Sequence, residues 1–290
     1  MINGVLNVWK EAGFTSHDVV AKLRGILHQK KIGHTGTLDP DATGVLPVCL
    51  GKGTRLCDML TDETKTYEAL LHLGIATDTQ DMSGTVTAEA PVTVTEEEVR
   101  DCIASFVGEH QQVPPMYSAL KVDGKKLYEI ARRGGEVARK ARPVTIEELT
   151  VLGEADGDYV LRVRCSKGTY IRTLCHDIGA ALGCGGVMSA LRRTEVGAYR
   201  VSDAHTMDAL CALPREAAQR LLLPVDSLWP DAAQCTVDAQ AERLARCGNP
   251  FRLCAPDGVY RIYAASGEFL LLAQVTDGTA VTIKSFFEVS

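Results

Sequence analysis

A chain of 290 residues, 46% hydrophobic and 23% charged, has room for two domains and the make-up of a soluble globular protein. Its net charge of −6 argues against indiscriminate nucleic-acid binding, and no stretch is long and apolar enough to span a bilayer. No basic and apolar leader opens the chain, so a cytoplasmic protein is expected.

Residues 4–9 (GVLNVW) read as a buried strand, and Thr15 to Asp18 give a capping-box start to a helix. Val19, Val20, Leu23, Ile26 and Leu27 form its apolar stripe. Next comes GHTGTLDPDATG, residues 33–44, with three glycines and only Leu38 and Ala42 apolar. Pro40 holds Asp39 extended. The segment reads either as a surface turn in which Asp39 and Asp41 bond locally, or as a rigid mount for a functional carboxylate. Residues 45–50 suit a strand and 54–60 a short helix; the stretch 44–54 lacks the spacing of a phosphate-binding loop.

Residues 65–73 (KTYEALLHL) read as a strand with Tyr67, Ala69, Leu71 and Leu73 on one face. Residues 78–84 (DTQDMSG) are a polar loop, and Thr95 caps a helix through Val107. An Asp123-Gly124 hairpin signal opens a basic segment, 121–142, with a short helix at 127–133. Eight Lys/Arg against three acids give it +5, leaving −11 for the rest of the chain, so it reads as a cationic flap or as an ordinary solvated face. Strands at 145–152 and 159–165 flank an Asp156-Gly157 turn. Residues 166–169 are expected to cap a helix whose first turn carries Tyr170 and Arg172, with a strand at 190–196 beyond it. A linker is expected near 223–234, then a helix at 237–246 and strands at 258–264, 268–276 and 279–289, a small β-barrel-like module. The ten cysteines form no CxxC pair and no zinc spacing, and read as reduced thiols, with Cys175-His176 a coincidence of neighbours.

The segment GHTGTLDPDATGVLPVCLG resembles the loop carrying the essential aspartate in the TruB family of tRNA pseudouridine synthases. Further motifs follow in the family's order: TKTYEALLHLG, DTQDMSG, PPMYSALKVDGKKLYEIAR, CSKGTYIRTL and LGCGG…LRRTEVG, covering most of residues 1–200. The resemblance implies an α+β pseudouridine-synthase fold: a mixed, mainly antiparallel sheet with flanking helices, then a PUA module. It divides the chain into a catalytic domain, 1–230, and a PUA-like RNA-binding domain, 234–290.

The implied reaction is isomerisation of uridine 55 in the TΨC loop of tRNA by base flipping and an aspartate-dependent rearrangement of the glycosidic bond, without cofactor or metal. By matching position, Asp39 is the catalytic carboxylate, Arg172 pairs with it and keeps it ionised, and Tyr67 stacks on the uracil. Tyr170 and Leu191 hold the base, and His34 fills the space left by flipped bases. From the residues alone, Tyr67 and Leu191 read as core, Arg172 as helix surface and His34 as a hydrogen-bonding loop residue. Lys121, Lys125, Lys126, Arg132, Arg133 and Arg142 become contacts to the RNA backbone. The implied partner of this monomer is the TΨC stem-loop, with the acceptor end as a further contact. Lys10-Glu11-Ala12-Gly13 departs from the family's Lys-Pro before glycine, which bears on local turn geometry. Two rivals stay open: the same chemistry on another RNA, and a non-catalytic tRNA-folding chaperone.

Overall fold

The computed structural model describes residues 1–122 and 124–287. Ten strands build one mixed sheet whose main path runs His205–Thr206, Gly4–Lys10, Thr43–Leu50, Gly186–Val196, Lys65–Leu73, Asp158–Cys165, Arg142–Ala155 and Gly108–Gln112. Ile32–His34 pairs with Thr43–Leu50, and Tyr199–Arg200 with Gly186–Val196. Two contacts are parallel, one at the His205 edge and one between Gly186–Val196 and Thr43–Leu50; the remaining pairs of this sheet are antiparallel.

Alternation decides which face each strand buries. Tyr67, Ala69, Leu71 and Leu73 turn toward a core shared with helices Glu96–Ser105 and Ile171–Ala181. In the other half, helix Ser16–Leu27 lays Val19, Val20, Leu23 and Leu27 against Leu6, Val8, Leu46 and Val48. Both expected helix starts carry complete capping boxes, Thr15 with Asp18 and Thr95 with Glu98.

The two halves meet at a narrow parallel seam, where Arg192 and Arg193 pair with Thr43 and Gly44. Gly44 sits at φ +114°, and a β-carbon there would lie 2.1 Å from the Arg193 carbonyl oxygen. Gly44→Ala should therefore lower stability by roughly 3 kcal/mol or more, through overpacking added to backbone strain. Thermal melting measures this; a wild-type melting temperature would mean that the seam yields without strain.

Several boundaries differ from expectation for local reasons. Residues 54–60 split into a 3-10 turn, Gly51–Leu56, and helix Cys57–Asp62. The Thr95 helix stops at Ser105, and the strand expected at 190 begins at Gly186. Residues 166–169 do not cap the next helix: Ser166 Oγ accepts from the Thr145 amide, Thr169 Oγ1 donates to the Ser166 carbonyl, and Tyr170 is the cap position. The flap's last cation, Arg142, is the first residue of strand Arg142–Ala155. The Asp156-Gly157 turn has both residues at positive φ, as a two-residue hairpin requires.

The C-terminal segment forms a separate five-stranded sheet, ordered Ala233–Thr236, Gly258–Tyr263, Phe269–Thr276, Thr279–Ser285 and Phe251–Arg252, with helix Ala239–Arg246 packed against it. The strand expected at 279–289 ends at Ser285, and Glu288 and Val289 lie outside the described residues, as does Asp123 of the flap hairpin. The segment expected as a linker is anchored. Leu223 exchanges main-chain hydrogen bonds with Val5 (2.9 and 2.8 Å), and Trp229 packs on Phe269 and Phe286. Glu268 joins Lys52 at 2.7 Å to Arg246 at 2.6 Å, which ties the second sheet to the first.

Candidate active site

Asp39 projects from the loop that feeds strand Thr43–Leu50, directly before the seam. Three buried groups fix this loop from beneath. Ser16 Oγ accepts from the Leu38 amide at 3.0 Å. Arg193, 1% exposed, donates from Nε to the Val45 carbonyl at 2.7 Å and from Nη2 to Gly36 at 3.4 Å. Lys10, fully buried, donates to the carbonyls of Glu11, Pro40 and Ala42 at 3.0, 2.9 and 2.6 Å.

Arg172 reaches the loop from 133 residues away, on helix Ile171–Ala181. Its Nε lies 3.0 Å from Asp39 Oδ2, and its Nη2 donates to Asp39 Oδ1 at 3.3 Å, a two-point contact suited to a carboxylate. Nη2 also donates to the Tyr117 carbonyl at 2.8 Å and Nη1 to the Thr79 carbonyl at 3.2 Å; Asp81 Oδ2 stands 3.6 Å from Nη1. The Arg172 side chain is 6% exposed and that of Asp39 is 40% exposed, so a buried guanidinium presents a reachable carboxylate. The helix-surface reading of Arg172 is thereby corrected, because its cationic head is turned inward onto three loops.

Burial pushes the Asp39 carboxyl above the usual carboxylate range. Arg172 pulls it back, Asp81 and Asp41 add to the rise, and Lys10 opposes it. Arg172 thus offsets part of the effect of burial and does not drive the group low.

Tyr67 is buried opposite Arg193 in the strand pairing, in the same core cluster as Leu38 and Ala42 of the loop. Burial raises its phenol, and the Arg193 guanidinium pulls the other way. Tyr170 is held by its main chain: its amide donates to Gln112 Oε1 at 2.7 Å, and Gln112 Nε2 donates to its carbonyl at 3.1 Å. Leu191 is half-buried against the Tyr67 cluster. His34 accepts from the Gly36 amide at Nδ1 (3.3 Å) and meets the His17 ring edge-on at 5.2 Å; burial and His17 lower it to about 4, so it is neutral near pH 7.

The flap joins this centre at its root. Tyr117 contacts Arg172, and Ser118 accepts from the Tyr128 amide at 3.1 Å. Lys121, Lys125, Arg132, Arg133 and Arg142 are exposed and Lys126 is half-buried, with no carboxylate partner among the described residues. Lys126 Nζ donates to the Tyr128 hydroxyl at 3.2 Å, and the Arg132 guanidinium lies over the Tyr128 ring. No three His, Cys, Asp or Glu side chains among the described residues converge as metal ligands. The ten cysteines are free, and burial pushes the Cys175 thiol up to about 12, so its neighbour His176 does not make it a nucleophile.

Sequence reasoning missed Asp81, Lys10, Arg193 and Gln112 as site residues. Asp81 and Arg193 stood inside quoted motifs, and Lys10 was placed only in local turn geometry. For Lys10 and Gln112 the informative signal is burial of a polar side chain, which a lone sequence does not display.

Lys10 carries a pH dependence. Burial lowers it from 10.5 to about 8, against the pull of Asp41 and Asp39. The folded value lies below the unfolded one, so the folded state holds fewer protons between them, and this group's contribution to stability grows as pH rises across that window. Activity should move oppositely: the ammonium has three protons for three carbonyls and the neutral amine only two. The single-turnover rate should therefore fall as pH rises past about 8. A pH–rate profile flat across that value would remove Lys10 from this role.

The model for the N-terminal domain of TruB family pseudouridylate synthases matches residues 24–171, and that for the tRNA pseudouridylate synthase B C-terminal domain matches 172–229. The chain is 48% identical to tRNA pseudouridine synthase B of Aromatoleum aromaticum over 275 residues, covering 94% of this chain and 89% of the relative. It is 50% identical to that of Alkaliphilus oremlandii over 225 residues, 78% and 75% of the two. Among solved structures, it is similar to a chain of an H/ACA RNP bound to a substrate RNA containing 2′-deoxyuridine (TM-score 0.70, 27% identity, 99% of this chain and 86% of that one). It is also similar to a chain of a Cbf5-Nop10-Gar1 complex (TM-score 0.71, 29% identity, 99% and 85%).

Proposed function

The chain belongs to the TruB family of pseudouridylate synthases, whose members convert uridine to pseudouridine in tRNA, and we propose that its target is uridine 55 of the TΨC loop, with Asp39 as the catalytic carboxylate. The observation that carries this reading is the two-point contact of a buried Arg172 with a reachable Asp39 at the sheet seam.

Rearranging a glycosidic bond so that the base rejoins through C5 calls for an ionised carboxylate, whether as nucleophile or as base. Arg172 keeps that charge available against the burial around it. A stacked uridine is flipped to reach Asp39, at a cost of a few kcal/mol, and Tyr67 takes one face of the uracil while Tyr170 and Leu191 close around it. His34, neutral near pH 7 and at the mouth of the loop, occupies the gap left by the flipped bases. The exposed cations of the flap hold phosphates of the arm. The catalytic unit spans 1–230, and residues 234–290 act as a PUA-like module toward the acceptor end. The protein works as a cytoplasmic monomer. Identity near 50% to tRNA enzymes, against below 30% to the H/ACA chains, favours tRNA over a guide-directed RNA.

A tRNA transcript tritiated at uridine C5 should release the label of one uridine per molecule, and a transcript carrying cytidine at position 55 should release none. Release from the second transcript would place the target elsewhere; release from neither, with RNA bound, would end the enzymatic reading for this site.

A further inference from the structure

Gln80 has no part in the chemistry above, yet its backbone is held at φ 65°, a conformation unfavourable to any residue with a β-carbon. It occupies the middle of the polar segment that brings Thr79 and Asp81 to Arg172. Its carbonyl accepts from the Met188 amide at 3.2 Å, and its Oε1 accepts from Thr173 Oγ1 at 2.7 Å. Thr173 is 3% exposed and directly follows Arg172 on the helix.

The segment closes on itself without the Gln80 side chain. Asp81 Oδ1 accepts from Thr79 Oγ1 at 2.7 Å, from the Ser83 amide at 3.0 Å and from Ser83 Oγ at 2.6 Å. Asp78 Oδ1 accepts from the Thr85 amide at 2.8 Å. A β-carbon on Gly84 would lie 2.2 Å from Thr79 Oγ1, so the turn is tight already. What the Gln80–Thr173 bond adds is not the shape of the segment but its placement against the helix that carries Arg172.

We propose that Gln80 is a positioning residue for the isomerisation: through Thr173 it locks the Thr79 carbonyl and the Asp81 carboxylate against one side of the Arg172 guanidinium, and so aims the other side at Asp39. This rests on the reading that Asp39 and Arg172 carry the uridine chemistry. A guanidinium is planar, so fixing the acceptors on Nη1 fixes the direction of Nε and Nη2. Rotation of that plane would separate the carboxylate from its two donors and shift it relative to a bound uridine.

The test uses the full chain with the C5-tritiated tRNA transcript under single-turnover conditions, with tRNA affinity and melting temperature measured alongside. Gln80→Ala and Thr173→Val should each slow release about tenfold, the scale of a small misplacement, with tRNA affinity unchanged. The double variant should be no slower than either single one, because both remove the same bond. Thr173→Ser, which keeps the hydroxyl, should restore the rate. Gln80→Gly relieves the positive φ, so it should melt no lower than wild type and still be slow, which a merely structural role would not produce.

A wild-type rate in Gln80→Ala, additive losses in the double variant, or a wild-type rate in a well-folded Gln80→Gly would each overturn the proposal. These outcomes require wild-type protein that releases tritium. No release by wild type removes the parent reading and this inference with it, whereas normal wild-type release with an unslowed Gln80→Ala removes this inference alone.

Discussion

Asp39→Asn should bind tRNA as tightly as wild type and release essentially no tritium, a fall of at least about 10³-fold in the single-turnover rate. The amide keeps the size of the carboxylate and can still accept from Arg172, so the loop ties through Ser16, Arg193 and Lys10 stay in place. What is lost is the negative charge proposed to serve as nucleophile or base. Stability should barely suffer. The carboxyl of Asp39 titrates above its ordinary value, mainly through burial, so the folded state retains a proton that the unfolded chain has already given up. This group's contribution to stability therefore declines as pH rises from the ordinary carboxylate range through the raised one, and the asparagine variant lacks that decline. In wild type, activity should disappear on the acid side as Asp39 becomes protonated. Tritium release and filter binding on one preparation decide the matter; substantial residual turnover would take Asp39 out of its role.

Arg172→Met should reduce both activity and stability, and Arg172→Lys should separate the two effects. The methionine leaves the carbonyls of Thr79 and Tyr117 without their donor and two carboxylates without a cation. Breaking a fully buried pair typically costs about 3–5 kcal/mol. The 40% exposure of the Asp39 side chain lets water take over part of that interaction, so about 2 kcal/mol is expected here. Lysine keeps the charge, but a single ammonium cannot hold Asp39 at two points while reaching Thr79 and Tyr117. The rate should fall about 10²-fold in Arg172→Lys with tRNA affinity preserved, and further in Arg172→Met. Near-normal turnover in Arg172→Lys would show that charge alone suffices at this position.

The local grammar of this chain was readable. Thr15 with Asp18 and Thr95 with Glu98 announced two helices, the alternation in Lys65–Leu73 announced a buried face, and Asp156-Gly157 announced a hairpin. Those signals act within a few residues. The order of strands was not readable, because a strand such as Gly186–Val196 shows no local mark of having Thr43–Leu50 on one side and Lys65–Leu73 on the other. The same limit applied to the site. Asp39 stood out through its glycines and Pro40, and the resemblance supplied Tyr67 and Arg172. Lys10 and Gln112 look like surface residues until the fold closes over them, and Asp81 looks like a turn residue until Arg172 arrives from a distant helix.

The seam also bears on how the chain is made. Strand Gly186–Val196 inserts between two strands completed more than a hundred residues earlier. Until it emerges from the ribosome, Lys65–Leu73 presents an unpaired edge and Thr43–Leu50 one that Ile32–His34 covers only at residues 48–50, and closing so long a loop is entropically slow. During synthesis, at about 5–20 residues per second, those edges wait for several seconds, a window for chaperone capture or for mispairing between neighbouring nascent chains. Arg172 and Arg193 lie on or just before that last strand, so the Asp39 loop cannot assume its working geometry earlier. A ribosome-bound fragment that stops short of residue 186 would therefore hold Asp39 and Tyr67 without the sheet that brings them together.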